Sequence, residues 1–118
     1  MKKISVVAAC FNEEDNVEIL REQIDTVFFD LPQYVYELIF IDNHSTDSTV
    51  SKVKAMAATD PRVKLIVNAR NFGHIRSPFH GFLQAKGDAV ITMASDLQDP
   101  PELIRDFLCK WEEGHRIV

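Results

Sequence analysis

The chain has little of what usually announces a function. It carries four glycines in 118 residues, and they form no glycine-rich loop. Neither G-x-G-x-x-G nor G-x-x-x-x-G-K-[ST] occurs, which removes the dinucleotide fingerprint and the Walker A loop as ways of holding phosphate. The two cysteines, Cys10 and Cys109, lie among apolar neighbours and are expected to be reduced thiols in or near the core, not a disulfide framework or a metal site. No basic run is longer than Lys2-Lys3 and the net charge is −5, so a nucleic-acid partner is not expected. No apolar run approaches the roughly 18–20 residues of a membrane span, and no charged-then-apolar leader precedes a cleavage site. A soluble, cytoplasmic stretch of chain is the expectation. His74 and His80 have no Cys or His at ligand spacing and read as ordinary loop and helix-surface residues.

What the sequence does have is alternation. Four short apolar runs bounded by turn formers, residues 4–9, 35–41, 63–67 and 89–93, predict strands. Between the first two, Val17, Leu20, Ile24, Val27 and Phe28 recur at helical spacing, with Asn12 as the expected cap, Asp15 at N3, and Asp30-Leu31-Pro32 as the stop. A second helix is expected over about residues 46–59, with Val50, Val53 and Ala57 inward and Asp60-Pro61 ending it. Ser77 and Pro78 are placed to open a third, carrying Phe79, Phe82 and Leu83 as far as Gly87. After the fourth strand, Asp99 fits an N-cap, Pro100 the N1 position and Glu102 the N3 position of a helix that buries Leu103, Ile104, Phe107, Leu108 and Trp111 and closes at Gly114. Arg116-Ile117-Val118 reads as the start of a fifth strand, so a fragment of a longer protein is expected. This pattern predicts one α/β domain, a mostly parallel sheet of order near 3-2-1-4 with helices on both faces.

In such a sheet, ligands bind outside the carboxyl ends of the strands. Three polar loops leave those ends: residues 11–15, 42–47 and 95–99. Asp96 and Gln98, hard oxygen donors with one residue between them, suit Mg²⁺ or Mn²⁺ with waters and phosphate oxygens completing the shell. The alternative for Asp96 is a turn residue that satisfies nearby amides. Asp42, directly after an apolar strand, is placed to accept from a ribose hydroxyl or a base N–H, or to form a turn. Ser45 and Asp47 read first as caps. Arg70 offers a fork for phosphate or base, or is a solvated arginine.

Four segments together resemble the family 2 glycosyltransferases of the GT-A fold: VVAACFNEEDNV at residues 6–17, FIDNHSTDST at 40–49, NARNFGH at 68–74 and SDLQDPPELI at 95–104. The run DLQDPPE is typical of the branch that moves a sugar from a nucleotide donor to a polyprenyl phosphate, as bactoprenol glucosyltransferases and dolichyl-phosphate mannose synthases do. The resemblance covers essentially the whole chain. It implies a Rossmann-like GT-A sheet, cut after the start of strand five, in which residues 1–118 form the nucleotide-sugar-binding part and the acceptor-binding half is absent. It implies an inverting enzyme that transfers a hexose, with glucose from UDP-glucose expected. Asn12 and Glu13 would lie beside the nucleotide, Asp42 at the base and ribose, and Arg70 and Asn71 near both. Asp96, the catalytic residue on this reading, and Gln98 would take the metal–diphosphate role with Mg²⁺ or Mn²⁺.

Three positions depart from the family pattern. Ala94 stands where the metal motif often has its first Asp, His44 where Gly is common, and Ala8 where Pro is common. The whole protein is expected at the cytoplasmic face of the membrane, and this stretch to bind donor, with turnover depending on later residues. Self-association through uncovered sheet elements is also expected. The competing reading is a nucleotide-binding α/β module without catalysis. A phosphoreceiver-like domain fits less well, since it wants an Asp ending strand three, where Val67-Asn68 stands.

Overall fold

The computed structural model describes residues 2–68, 86–97 and 100–114. Four strands, β1 (Lys2–Cys10), β2 (Tyr34–Asp42), β3 (Val63–Val67) and β4 (Ala89–Ala94), form one sheet of order β3-β2-β1-β4. Every pairing is parallel. The expected order is met, and the expected strand limits lie within two residues of those observed.

Three helices are described: α1 (Val17–Phe29), α2 (Thr49–Thr59) and α3 (Leu103–Glu112). All three contribute to the cluster that covers one face of the sheet. Ile4, Val6, Leu38, Phe40 and Met93 meet Leu20 and Ile24 of α1, Val53 of α2, and Ile104 and Leu108 of α3. Long apolar side chains at i, i+3 and i+4 give each helix one face to bury. The other face carries Val7, Ile39 and Ile41, all buried, with Ile66 and Val90 against them. No described helix lies there. The helix expected from Ser77 and the strand expected from Arg116 fall outside the described residues.

The helix starts differ from expectation. α1 begins at Val17 with Asn16, not Asn12, at its cap, and α2 begins at Thr49, not near Thr46. The cause is non-local: amides of residues 12–14 and of Thr46 and Ser48 bond across to the neighbouring loop instead of starting a helix. α3 also starts later. Leu103 and Ile104 donate to the Pro100 and Pro101 carbonyls at 3.0 Å, so residues 100–102 form a tight three-residue turn ahead of the helix. Glu102, expected at N3, occupies the cap position, and Asp99 lies outside the described residues. Leu103, expected inside, is 39% exposed. Cys10 is buried, but Cys109, on the outer side of α3, is exposed. Gly114 does close α3, with φ +102 and its N–H on the Trp111 carbonyl.

A charged centre ties the strands together away from the loops. Glu37 of β2 is 1% exposed. Its carboxylate accepts from Ser5 Oγ, from Lys64 Nζ at 2.5 Å and from the Lys86 amide at 2.9 Å. Burial alone would push this carboxyl up, but the Lys64 ammonium, the Ser5 hydroxyl and the Lys86 amide outweigh it and hold it at about 2. Gly87 completes the arrangement by donating to Ser5 Oγ at 2.8 Å. A Cβ at residue 87 would come within 2.7 Å of the Ser5 nitrogen and 2.9 Å of the Lys3 carbonyl oxygen, so only glycine fits.

Candidate functional site

The chain changes direction across the sheet at β1, whose neighbours are β2 on one side and β4 on the other. The carboxyl ends beside such a switch point open into a crevice. The ladder continues one step past the strands there: Asn43 donates to the Cys10 carbonyl, Asn68 to that of Asp42, and Ser95 to that of Ala9. These bonds bring the starts of four loops to one edge. Asn12, Glu13, Asp42 and Asp96, expected in three different loops, therefore share that edge.

The loops after β1 and β2 are clasped to each other. Asn12 N–H donates to Ser45 Oγ at 2.9 Å, and Asn12 Oδ1 accepts from Thr46 N–H at 2.8 Å. Glu13 N–H donates to Thr49 Oγ1 at 2.9 Å and Glu14 N–H to Asp47 at 3.3 Å. In return Glu14 accepts from Ser48 N–H through its carboxylate, at 2.9 Å, and from Lys52 Nζ through its carbonyl, at 2.7 Å. The Glu13 carboxylate accepts from Asn16 Nδ2 at 2.8 Å. Burial would raise the Asp47 carboxyl, but the Thr49 hydroxyl and the Thr49 and Glu14 amides outweigh it and keep it below its ordinary range.

Asp42 lies inside this clasp and is fully buried. Its Oδ2 accepts the Ser45 amide at 2.8 Å, and its Oδ1 accepts Ser45 Oγ and, more weakly, the Cys10 thiol at 3.8 Å. Burial and then the Asp42 charge push the Cys10 thiol far up, so it stays protonated and unreactive.

Three non-glycine residues among those described have positive φ: Asn12 (52°), His44 (70°) and Leu97 (64°). Each sits in a different loop of this edge. Asn and His tolerate the left-handed region better than most, whereas a leucine there is strained. His44, at the position where glycine is common in the family it resembles, has the backbone that explains that preference.

Asp96 follows β4 and is half-buried, beside Ser95, whose Oγ is buried with no hydrogen-bond partner among the described residues. Among the described residues no group of three or more His, Cys, Asp and Glu could by itself hold a metal. The chemistry still fits a hard cation in kind. Mg²⁺ is usually held by one or two carboxylates, with phosphate oxygens and waters supplying the rest, and Asp96 supplies one. Arg70, Asn71 and Gln98 lie outside the described residues. Sequence reading missed the clasp residues Glu14, Thr46, Thr49 and Lys52. Their only signal was the density of Asx residues in the first loop and of hydroxyl and Asx residues in the second.

The family model for glycosyl transferase family 2 matches residues 5–118. A prophage bactoprenol glucosyl transferase homolog of Escherichia coli K12 is 40% identical over 116 residues, which is 98% of this chain and 38% of that protein. The chain thus spans little more than a third of the curated relatives it matches. Among solved structures, a Pyrobaculum calidifontis mannosyltransferase in complex with GDP-Man and Mn²⁺ aligns with a TM-score of 0.73 at 22% identity, over 93% of this chain and 32% of that one. Staphylococcus aureus TarS in complex with UDP aligns with a TM-score of 0.74 at 25% identity, over 96% and 33%.

Proposed function

The chain belongs to glycosyl transferase family 2, and from that premise we propose that it is the donor-binding part of an enzyme that transfers glucose from UDP-glucose to a polyprenyl phosphate. The observation that carries the reading is the convergence of the loops after β1, β2 and β4 beside the switch point, with the first two clasped into one platform. The acceptor and the sugar are suggested by the similarity to bactoprenol glucosyl transferases, and a bound nucleotide by the likeness to TarS with UDP.

On this reading Asn12, Glu13 and Asp42 shape the nucleoside end, Arg70 and Asn71 lie near base and ribose, and Asp96 with Gln98 would hold Mg²⁺ or Mn²⁺ against the diphosphate. A bound cation would offset the charge that builds on the departing nucleoside diphosphate. An oxygen of the lipid phosphate attacks the anomeric carbon from the face opposite the diphosphate. The new C–O bond forms as the bond to the diphosphate oxygen breaks, and the electron pair leaves with UDP. The attacking oxygen is already anionic, so the chain needs no strong general base. Its own residues orient the donor and stabilise the leaving charge.

Among the described residues no helix is long and apolar enough to cross a membrane. The whole protein is placed by this reading at the cytoplasmic membrane face, where a polyprenyl phosphate would be met. A transfer assay with the whole protein and polyprenyl phosphate, comparing UDP-glucose, UDP-GlcNAc and GDP-mannose, tests it. Glucosyl lipid from UDP-glucose alone is expected. Donor binding without transfer from any of the three would favour the non-catalytic module instead.

A further inference from the structure

The clasp turns on one hydroxyl at the point nearest the strand ends. Ser45 Oγ donates to Oδ1 of Asp42 and accepts the Asn12 N–H at 2.9 Å, while Ser45 N–H donates to Oδ2 of Asp42 at 2.8 Å. One residue therefore fixes both carboxylate oxygens of a fully buried aspartate and ties them to the neighbouring loop. Its partner across the gap, Asn12, is exposed and sits at φ 52°. The remaining cross-loop bonds, from Thr46 to the Asn12 side chain, Glu13 to Thr49, Glu14 to Asp47, Ser48 to Glu14 and Lys52 to the Glu14 carbonyl, do not touch Asp42. They hold the two loops together whether or not residue 45 carries a hydroxyl. The Ser45 hydroxyl is thus expendable for joining the loops, but it alone among the described contacts links Asp42 to Asn12.

We propose that Ser45 is a positioning residue for nucleotide recognition: through Asp42 and Asn12 it sets the spacing of the two loops that flank the nucleoside end of the donor. The inference rests on the reading that a nucleotide sugar binds at this edge. A positioning role at the nucleoside end differs from a general structural one in what it affects. It weakens ligands that carry a base and ribose and spares one that carries only the diphosphate.

The test uses Ser45→Ala and Ser45→Thr, with calorimetric titration of UDP and of inorganic pyrophosphate in Mn²⁺ and a thermal melt of each protein. Ser45→Ala is expected to weaken UDP about tenfold, the loss of roughly one charge-assisted hydrogen bond. Pyrophosphate affinity should stay within about twofold, on the same arithmetic. Ser45→Thr, which keeps the hydroxyl, should bind UDP within about threefold of wild type. Should Ser45→Ala fail to fold, the near-isosteric Ser45→Cys carries the same comparison. Equal losses for UDP and pyrophosphate would overturn the inference, as would wild-type UDP affinity in Ser45→Ala or a threonine variant as weak as the alanine. If the wild-type chain binds pyrophosphate but not UDP, the donor-site reading itself falls, and this inference with it.

Discussion

The two ends of the sheet handle negative charge in opposite ways. Toward the amino ends of the strands, carboxylates are matched with cations. Glu37 meets Lys64 and, at 3.6 Å, Lys3, while Asp60 accepts from Arg21 and from Arg62. The Asp60 carboxyl is held far below its ordinary range by Arg62, against the opposing effect of burial, with Arg21 adding to it. Arg62 also lies over the Tyr36 ring, 4.7 Å from its centroid, and Tyr36 stacks on Phe28. At the carboxyl ends, Asp42, Asp47 and the Glu14 carboxylate are held by amides and hydroxyls. Lys52 reaches a carbonyl there, not a carboxylate. Among the described residues, carboxylates meet cations at one end and amides and hydroxyls at the other. The positive-φ residues follow the same division, since all three non-glycine examples among the described residues belong to the loops of the carboxyl edge. One end is built for stability; the other keeps strain, and its Asp42, Asp47 and Glu14 carboxylates meet amides and hydroxyls among the described residues, so a diphosphate there would add negative charge that a cation could offset.

The sharpest way to break this contrast is to remove the carboxylate of the stable end. Glu37→Ala would leave the Ser5 hydroxyl and the Lys86 amide without their acceptor and two lysines without their counter-charge. A loss of about 3 kcal/mol is expected in urea unfolding. A loss under about 1 kcal/mol would mean the centre is ordinary surface charge. Gly87→Ala comes next. Its Cβ would meet backbone atoms of Ser5 and Lys3, which cannot swing aside as a side chain can, and about 2 kcal/mol is expected. An unchanged midpoint would show that β1 and the segment before β4 part freely.

A smaller effect is expected with pH. The Glu37 carboxyl titrates near 4.5 in the unfolded chain and at about 2 when folded. Between those values the unfolded chain binds more protons, so the contribution of Glu37 is full above about pH 4.5 and is lost as pH falls toward 2. Subtracting the acid-unfolding curve of Glu37→Gln from that of wild type should isolate this slope. Superimposable curves would remove Glu37 as its source.

Much of the fold was legible because it depends on local pattern. Short runs rich in Val and Ile between turn formers located all four strands, and their alternation with helices led to the order found. The helix starts were not legible, because the amides of Asn12, Glu13 and Ser48 are taken by side chains some thirty-five residues away. Glu37 was hidden for a related reason. β2 is buried on both faces and reads as an apolar strand, while the partners that make the Glu37 carboxylate tolerable come from three other segments. At the site, Asp42 was read as either a ligand or a turn former, and the structure shows it closing a turn onto Ser45. Cys109 looked internal from its apolar neighbours, but it falls between the two inward positions Leu108 and Trp111 and points away from the sheet.

The most direct measurement is of donor affinity at the carboxyl edge. Titrating UDP-glucose into the wild-type chain and into Asp96→Asn, each with Mn²⁺ and with EDTA, separates the charge of that carboxylate from its shape. The account predicts at least a tenfold weaker affinity for the variant in Mn²⁺, about 1.4 kcal/mol or more, and no difference between the two proteins in EDTA. Equal affinity of the two proteins in Mn²⁺ would contradict it, because the negative charge at Asp96 would then have no part in holding the donor.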